Sequence, residues 1–522
     1  MRRISHGAIV PPSDETNDDV FKELGELTKK YFFDTAKTEV KHPRFFHMFE
    51  DLAKNGDCLI PQTEETLDNL SKLGAAMRDE KFEVSGNSDL PAAYTYLAQF
   101  VNHDINFTDV RKEEGESDFE LLANNQLKPW PDDVIAKRVS NKRAGMLELD
   151  CLYGRMQADV LPPRQDPHSG KMALGTVSRS ENRPNGKKGD DHDLVRGPMS
   201  PSLKNDRTAL IGDRRNDSNL ILSQLHVAFL RAHNAIIDVE KRSYEEAKQV
   251  LQKHYHWMIL NEFLPAIVSQ DSIAAVEKGA RYKADQGLPL EFSVGAFRFG
   301  HSMVRRGYYY NEKRRRVDLG RLFTLTALSR SIALPKPNEG FPTLPESHII
   351  QWEHFLGEKV PLMHRNKARK LRTQMVEPLF ELFNDDVDDK GDKRLAVQDL
   401  KRSFMMRIPT GQVIAKELDV APLTDAQLES VLTPCQFKTL KNADMLHCTP
   451  LSFYVLAEAA ADKDGKLAGV GGRIVAEVLI GLIRDRPDSI IGSGWTPHLP
   501  SAKPDTFFLS DLLRLAGVFE NG

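Results

Sequence analysis

Residues 220–230 read Leu220-Ile221-Leu222-Ser223-Gln224-Leu225-His226-Val227-Ala228-Phe229-Leu230, and this stretch sets the fold class. Leu222, Leu225, Phe229 and Leu230 recur at the three- and four-residue steps of an amphipathic helix. His226 and His233 fall on a neighbouring face. They lie about 10 Å apart along a helix axis, too far to share one metal ion, so both read as structural groups. Helical periodicity recurs at 244–282, 291–306, 347–383 and 467–485, whereas strand-like alternation is scarce. No internal repeat is present. The expected fold is mainly α, with one large domain over 21–522 and a flexible polar segment at 1–20. A loop-rich excursion is expected near 161–205, which holds Pro162-Pro163-Arg164 and Asn185-Gly186-Lys187-Lys188-Gly189 but few apolar residues.

The 522 residues are 40% hydrophobic and 28% charged, with a net charge of −4. This is the composition of a folded globular chain, and the mixed charge argues against a broad nucleic-acid surface. No run approaches the roughly 18 consecutive apolar residues of a membrane span. Arg2 and Arg3 are followed by no apolar stretch, so no cleavable leader is read. The expectation is a cytoplasmic protein, although a leaderless export route would leave no such mark. Cys58, Cys151, Cys435 and Cys448 are far apart and form no paired motif, which suits reduced thiols and offers no zinc site. The acidic stretches 386–391 and 462–465 lack oxygen ligands at key EF-hand positions and read as solvated turns.

Three segments carry potential chemistry. In Gln99-Phe100-Val101-Asn102-His103-Asp104, Gln99 and His103 share one helical face. His103 could act as a general base beside a hydrogen-bonding amide, but taken alone a structural histidine is the commoner reading. Phe297-Arg298-Phe299-Gly300-His301-Ser302 places His301 on a stripe with Val294, Phe297 and Val304. That histidine is either a core residue or an axial ligand to a flat apolar cofactor. Gly212-Asp213-Arg214-Arg215-Asn216-Asp217-Ser218-Asn219 is a polar turn rich in capping residues, set just before the helix at Leu220.

Together and in this order, the three segments resemble the animal haem peroxidase (peroxidase–cyclooxygenase) superfamily, in particular its bacterial members. Further matching stretches are Leu149-Asp150-Cys151-Leu152-Tyr153-Gly154, Ile408-Pro409-Thr410-Gly411-Gln412, Thr449 to Ala459 and Gly472 to Val478. The resemblance implies non-covalent haem b between a distal and a proximal helix, and reduction of hydrogen peroxide through a ferryl haem. The donors it implies are small molecules such as phenols, bromide or iodide. By position, it makes His103 the distal base, Gln99 its partner, Arg215 the distal arginine and His301 the iron ligand. Asp399 falls beside the proximal histidine, Arg402 near a haem propionate, and Arg298 among the cofactor-binding residues. Asp104, Glu148 and Asp150 fall at calcium-ligand positions.

The chain departs from the family pattern in places. Asn102 and Ser218 stand where many mammalian members use carboxylates to esterify haem, and neither can form that ester. Ala144 and Glu148 stand where the calcium loop usually has threonine and aspartate. Asp399 replaces an asparagine, and Ser452 a tryptophan. The alternative activity is a fatty-acid dioxygenase of the cyclooxygenase type. Such enzymes use a tyrosine three residues before the proximal histidine, where this chain has Arg298.

Overall fold

The computed structural model describes residues 44–79, 87–110, 127–154, 169–178, 191–198, 206–314, 316–326, 343–357, 359–381 and 392–520. The N-terminal segment 1–20, most of the 161–205 excursion and the acidic stretch 386–391 lie outside them. The fold is helical. Its principal helices are α1 (Thr66–Ala76), α2 (Ala93–Ile105), α3 (Leu220–Glu240), α4 (Tyr244–Met258), α5 (Gln270–Lys278), α6 (Gly300–Met303), α7 (Leu395–Met405), α8 (Leu451–Ala461), α9 (Gly469–Arg484) and α10 (Leu509–Leu515). Among the described residues, strands form only short two-stranded ribbons, such as Thr108–Val110 against Val139–Asn141.

The helix read from Leu220 is the central one. Asn219 caps α3, its side chain accepting the Leu222 N–H at 2.9 Å. Most of its 21 residues are buried among α2, α4 and α10. Its length and apolarity would suffice to cross a membrane, but it serves here as a core helix. Lys241 ends α3 at φ 54°, and the chain turns directly into a Ser243–Glu246 capping box that starts α4. Elsewhere α1 crosses α7 so closely that a Cβ at Gly74 would sit 2.6 Å from Val397 Cγ2 and 2.9 Å from its Cα.

Two expected helices differ from the sequence reading. The 291–306 segment begins as a π turn at Glu291–Gly295, tightens to a 3₁₀ turn at Ala296–Arg298, and ends in α6. The change of pitch falls at Gly295, where a Cβ would meet the Leu451 side chain at 2.7 Å. The 347–383 segment is not a helix. It holds single turns at Glu346–His348, Glu353–Leu356 and Leu362–His364, then strand Lys367–Arg369 paired with Asn87–Pro91. Gly357 ends one turn in the left-handed region and Pro361 precedes the next, so apolar spacing is broken by backbone chemistry. The turn at 462–465 is as expected, with the Asp462 carboxylate accepting the N–H groups of Asp464 and Lys466. None of the four cysteines forms a disulfide.

Candidate active site

The histidine and amide of the 99–104 segment lie on α2. His103 is buried, while Gln99 and Asn102 are half-buried. His103 Nδ1 lies 2.8 Å from the Asn216 Oδ1. Burial, reinforced by the charge of Arg215, pulls the His103 pKa down to about 3. The imidazole is therefore neutral across the physiological range. Gln99 is tied to the start of α3, its Oε1 accepting from Asn219 Nδ2 at 3.3 Å. Asn219 thus caps α3 and positions Gln99 at once.

The turn before α3 places Arg215 under α2. Gly212 is required there, because a Cβ would lie 2.7 Å from both Asp150 O and Gly154 N. Asp213 accepts the Arg215 N–H at 2.9 Å and Nη2 at 2.6 Å. Nη2 also donates to the carbonyls of His103 at 3.2 Å and Asn106 at 2.7 Å, and Phe107 stacks on the guanidinium at 4.4 Å. Burial would raise the Asp213 pKa, but Arg215 and Arg143 overcome this and hold it ionised. Nη1 of Arg215 is buried with no hydrogen-bond partner. The half-buried Ser218 lies three residues further along the same turn.

On the opposite side, His301 lies on α6, its side chain 12% exposed. Its Nδ1 lies 2.9 Å from Asp399 Oδ2 on α7. Burial alone would raise the Asp399 pKa; His301, Arg298 and Arg402 outweigh it and keep the carboxyl ionised. Arg402 Nη1 lies 3.7 Å from Asp399 Oδ1, too long for a hydrogen bond, and is buried without one. Arg298 is buried, with Nε donating to Ser293 O at 2.9 Å. Its pKa falls to about 10, chiefly through burial. Arg298 and Asp399 also border a small void with Met77, Met375, Ala396 and Ser452.

Of the expected calcium ligands, Asp104 and Asp150 lie near each other, whereas Glu148 has another partner. Asp104 accepts the Leu149 N–H at 3.1 Å, and Asp150 accepts the Ala144 N–H at 2.8 Å. Burial, aided by Asp150, raises the Asp104 pKa well above the usual carboxylate range. Glu148 instead pairs with Arg486 at 3.2 Å, its side chain half-buried. Among the described residues, no group of three acidic, histidine or cysteine side chains is arranged to hold a metal. Arg486, the partner of Glu148, lies 338 residues away in sequence.

Two further residues belong to the site. Asn216, read only as part of a capping turn, contacts His103, and its Nδ2 lies 3.0 Å from His226 Nδ1. His226 therefore faces the distal cluster instead of serving only the core. The helical spacing that placed it beside the apolar stripe was the available signal. His233, by contrast, bonds Tyr153 and the Gly170 carbonyl, a structural role.

The residues present fit a haem. Two imidazoles lie on facing elements, both anchored at Nδ1, and α6 packs on α2. Buried guanidinium nitrogens on Arg215 and Arg402 have donor capacity to spare for an anionic or peroxidic ligand. Neither Asn102 nor Ser218 supplies a carboxylate for covalent attachment.

Residues 128–329 match the family described as animal haem peroxidase, a span that includes Arg215, His226 and His301. A peroxidase-like protein of Margaritifera margaritifera is 27% identical over 253 residues, 40% of this chain and 31% of that protein. Peroxidase mlt-7 of Caenorhabditis elegans is 32% identical over 119 residues, 21% of this chain and 16% of that protein. The chain thus spans under a third of the length of these curated relatives. Among solved structures, peroxidase A from Dictyostelium discoideum shares the fold, with TM-score 0.54, 17% identity and coverage of 85% and 87% of the two chains. A single-residue variant of the Oryza sativa fatty acid alpha-dioxygenase, with palmitic acid, also shares it, with TM-score 0.52, 15% identity and coverage of 89% and 84%. The span that holds Arg215 and His301 thus matches the animal haem peroxidase family, and the chain around it shares the helical fold of these solved structures.

Proposed function

We propose that this protein is a haem-dependent peroxidase that reduces hydrogen peroxide at the expense of small donors such as phenols, bromide or iodide. The observation that carries the reading is the anchoring of both imidazoles through Nδ1, His103 on Asn216 and His301 on Asp399. Each then has Nε2 as its reactive nitrogen. Haem, when bound, supplies an iron that holds peroxide and accepts its oxidising equivalents.

The side chains divide the remaining work. His301 Nε2 would hold the haem iron, and the ionised Asp399 behind it would increase its donor strength. Arg402 would bind a haem propionate, and Arg298 braces Asp399 electrostatically. The neutral His103 takes a proton from the near oxygen of peroxide through Nε2 and returns it to the far oxygen, so that water departs. Arg215 stabilises negative charge as the O–O bond lengthens, at no cost in reorganisation because Asp213 and two carbonyls already fix it. Gln99, one helical turn before His103, is oriented by Asn219.

The second reading is a fatty-acid dioxygenase, favoured by the fold shared with the rice alpha-dioxygenase. Arg298 disfavours it, since a guanidinium cannot act as the radical relay that the resemblance requires at that position. Stopped-flow spectra with peroxide, followed by turnover of phenols and iodide, test the proposal. Rapid oxygen uptake with a polyunsaturated or saturated fatty acid, and no peroxide-dependent phenol oxidation, would overturn it in favour of the dioxygenase.

A further inference from the structure

The Asn216 side chain is completely buried between two completely buried imidazoles. Its Oδ1 faces His103 Nδ1 at 2.8 Å, and its Nδ2 faces His226 Nδ1 at 3.0 Å. An amide oxygen only accepts and an amide nitrogen only donates. The amide therefore dictates both tautomers. His103 must carry its proton on Nδ1, which leaves the lone pair on Nε2. His226 must present a bare Nδ1 and carry its proton on Nε2.

The three groups form one coupled set. A terminal amide torsion is two-fold, so Asn216 can reverse within nearly the same volume. Reversal would turn the NH₂ group toward His103 Nδ1 and move the His103 proton to Nε2. A base protonated at Nε2 cannot accept the proton of peroxide. What keeps the amide in the observed sense is an acceptor on its nitrogen side. Cys151 also contacts Asn216 there, but a thiol sulfur is a weak acceptor. The strong acceptor is Nδ1 of His226. The protonated Nε2 of His226 has no hydrogen-bond partner, and the ring packs against Phe100, with centroids 6.2 Å apart at 62°. A ring N–H tolerates an aromatic neighbour better than a polar void.

We infer that His226 is a positioning residue which, through Asn216, holds His103 in the Nδ1-protonated tautomer that can act as a base. The inference rests on the reading of His103 as the proton acceptor for peroxide. It gives a function to a histidine that helical spacing alone assigns to the core.

The test compares wild type with His226→Leu, which removes the acceptor, and His226→Gln, whose Oε1 can replace it. Tautomers are read by NMR on ¹⁵N-histidine-labelled protein, with any bound iron made diamagnetic by reduction under carbon monoxide. In wild type and His226→Gln, His103 should show a protonated Nδ1 and a bare Nε2. In His226→Leu it should shift toward the Nε2-protonated form. The second-order rate with peroxide should fall by about 10- to 100-fold in His226→Leu, below the full loss of a positioned base because the tautomer only shifts, and recover to within about threefold in His226→Gln. An unchanged His103 tautomer and rate in His226→Leu would overturn the inference. So would an Nε2-protonated His103 in wild type, which decides the matter even if the leucine variant does not fold. Correct tautomers in a protein that does not react with peroxide would instead sink the peroxidase reading and leave the tautomer control standing.

Discussion

His301 and His103 were legible as chemistry only in company. Each alone could be a core histidine, and it was their order with the Arg215 turn that singled them out. The structure adds their partners, Asp399 and Asn216, which are 98 and 113 residues away in sequence. No local spacing encodes such pairings, and the same is true of Glu148, which pairs with Arg486. The residue roles lead to separable outcomes. His301→Ala should abolish or strongly weaken haem retention, read as loss of the Soret band from purified protein, because the axial nitrogen is gone. Normal haem content would place the ligand elsewhere. His103→Ala should keep haem but slow the reaction with peroxide by about two to four orders of magnitude. Arg215→Ala should lose about two to three orders, as for a removed electrostatic stabiliser. A His103 variant that reacts as fast as wild type in stopped flow would remove it from the mechanism.

Elements were read best where side-chain periodicity alone decides them. The helix at Leu220, α4 and the helix over 469–484 follow from apolar spacing. The 347–383 segment was misread because Gly357, Pro361 and the pairing of Arg369 with Asn87 override its apolar spacing. The π turn before α6 was equally hidden, since Gly295 at its end packs against Leu451, a residue distant in sequence. The crossing of α1 and α7 offers a direct check on such close approaches. A Cβ at Gly74 would meet Val397 backbone atoms at 2.9 Å, which a flexible side chain cannot relieve. Gly74→Ala should therefore destabilise the fold by about 1–3 kcal/mol, the usual cost of overpacking. Because α7 carries Asp399 and Arg402, the same variant should also loosen haem binding. A melting temperature equal to wild type would mean that the two helices separate at no cost.

For the whole molecule, the absence of ester-forming carboxylates and the number of buried histidines both have consequences in solution. Haem should leave the denatured chain in acidified organic solvent, and retention with the polypeptide would reveal an attachment that Asn102 and Ser218 cannot make. The histidines govern acid stability. Burial depresses the pKa of His103, His226 and His348 to about 3, and of His254 and His256 to about 4. In the unfolded chain each would titrate near its ordinary value of about 6.5. The unfolded state therefore binds more protons as pH falls below 6.5, and the stability these groups contribute above that pH is progressively lost toward pH 3–4. Four carboxyls act in the opposite sense. Burial raises Glu262 and Glu458 to about 7 and lifts Asp104 and Asp217 above their ordinary value, so their contribution is present at low pH and is lost as pH rises. Five histidines outnumber these four carboxyls in the shared window, so the histidine slope should dominate between pH 6.5 and 4.5. The expected outcome is a denaturation midpoint that falls steadily as pH is lowered across this range, with net proton uptake on unfolding. His254→Gln, at a ring that packs against Trp495, His498 and Phe507, should flatten that dependence without changing the reaction with peroxide. A midpoint that holds constant or rises on acidification from pH 6.5 to 4.5 would show that these imidazoles are not kept neutral by the fold.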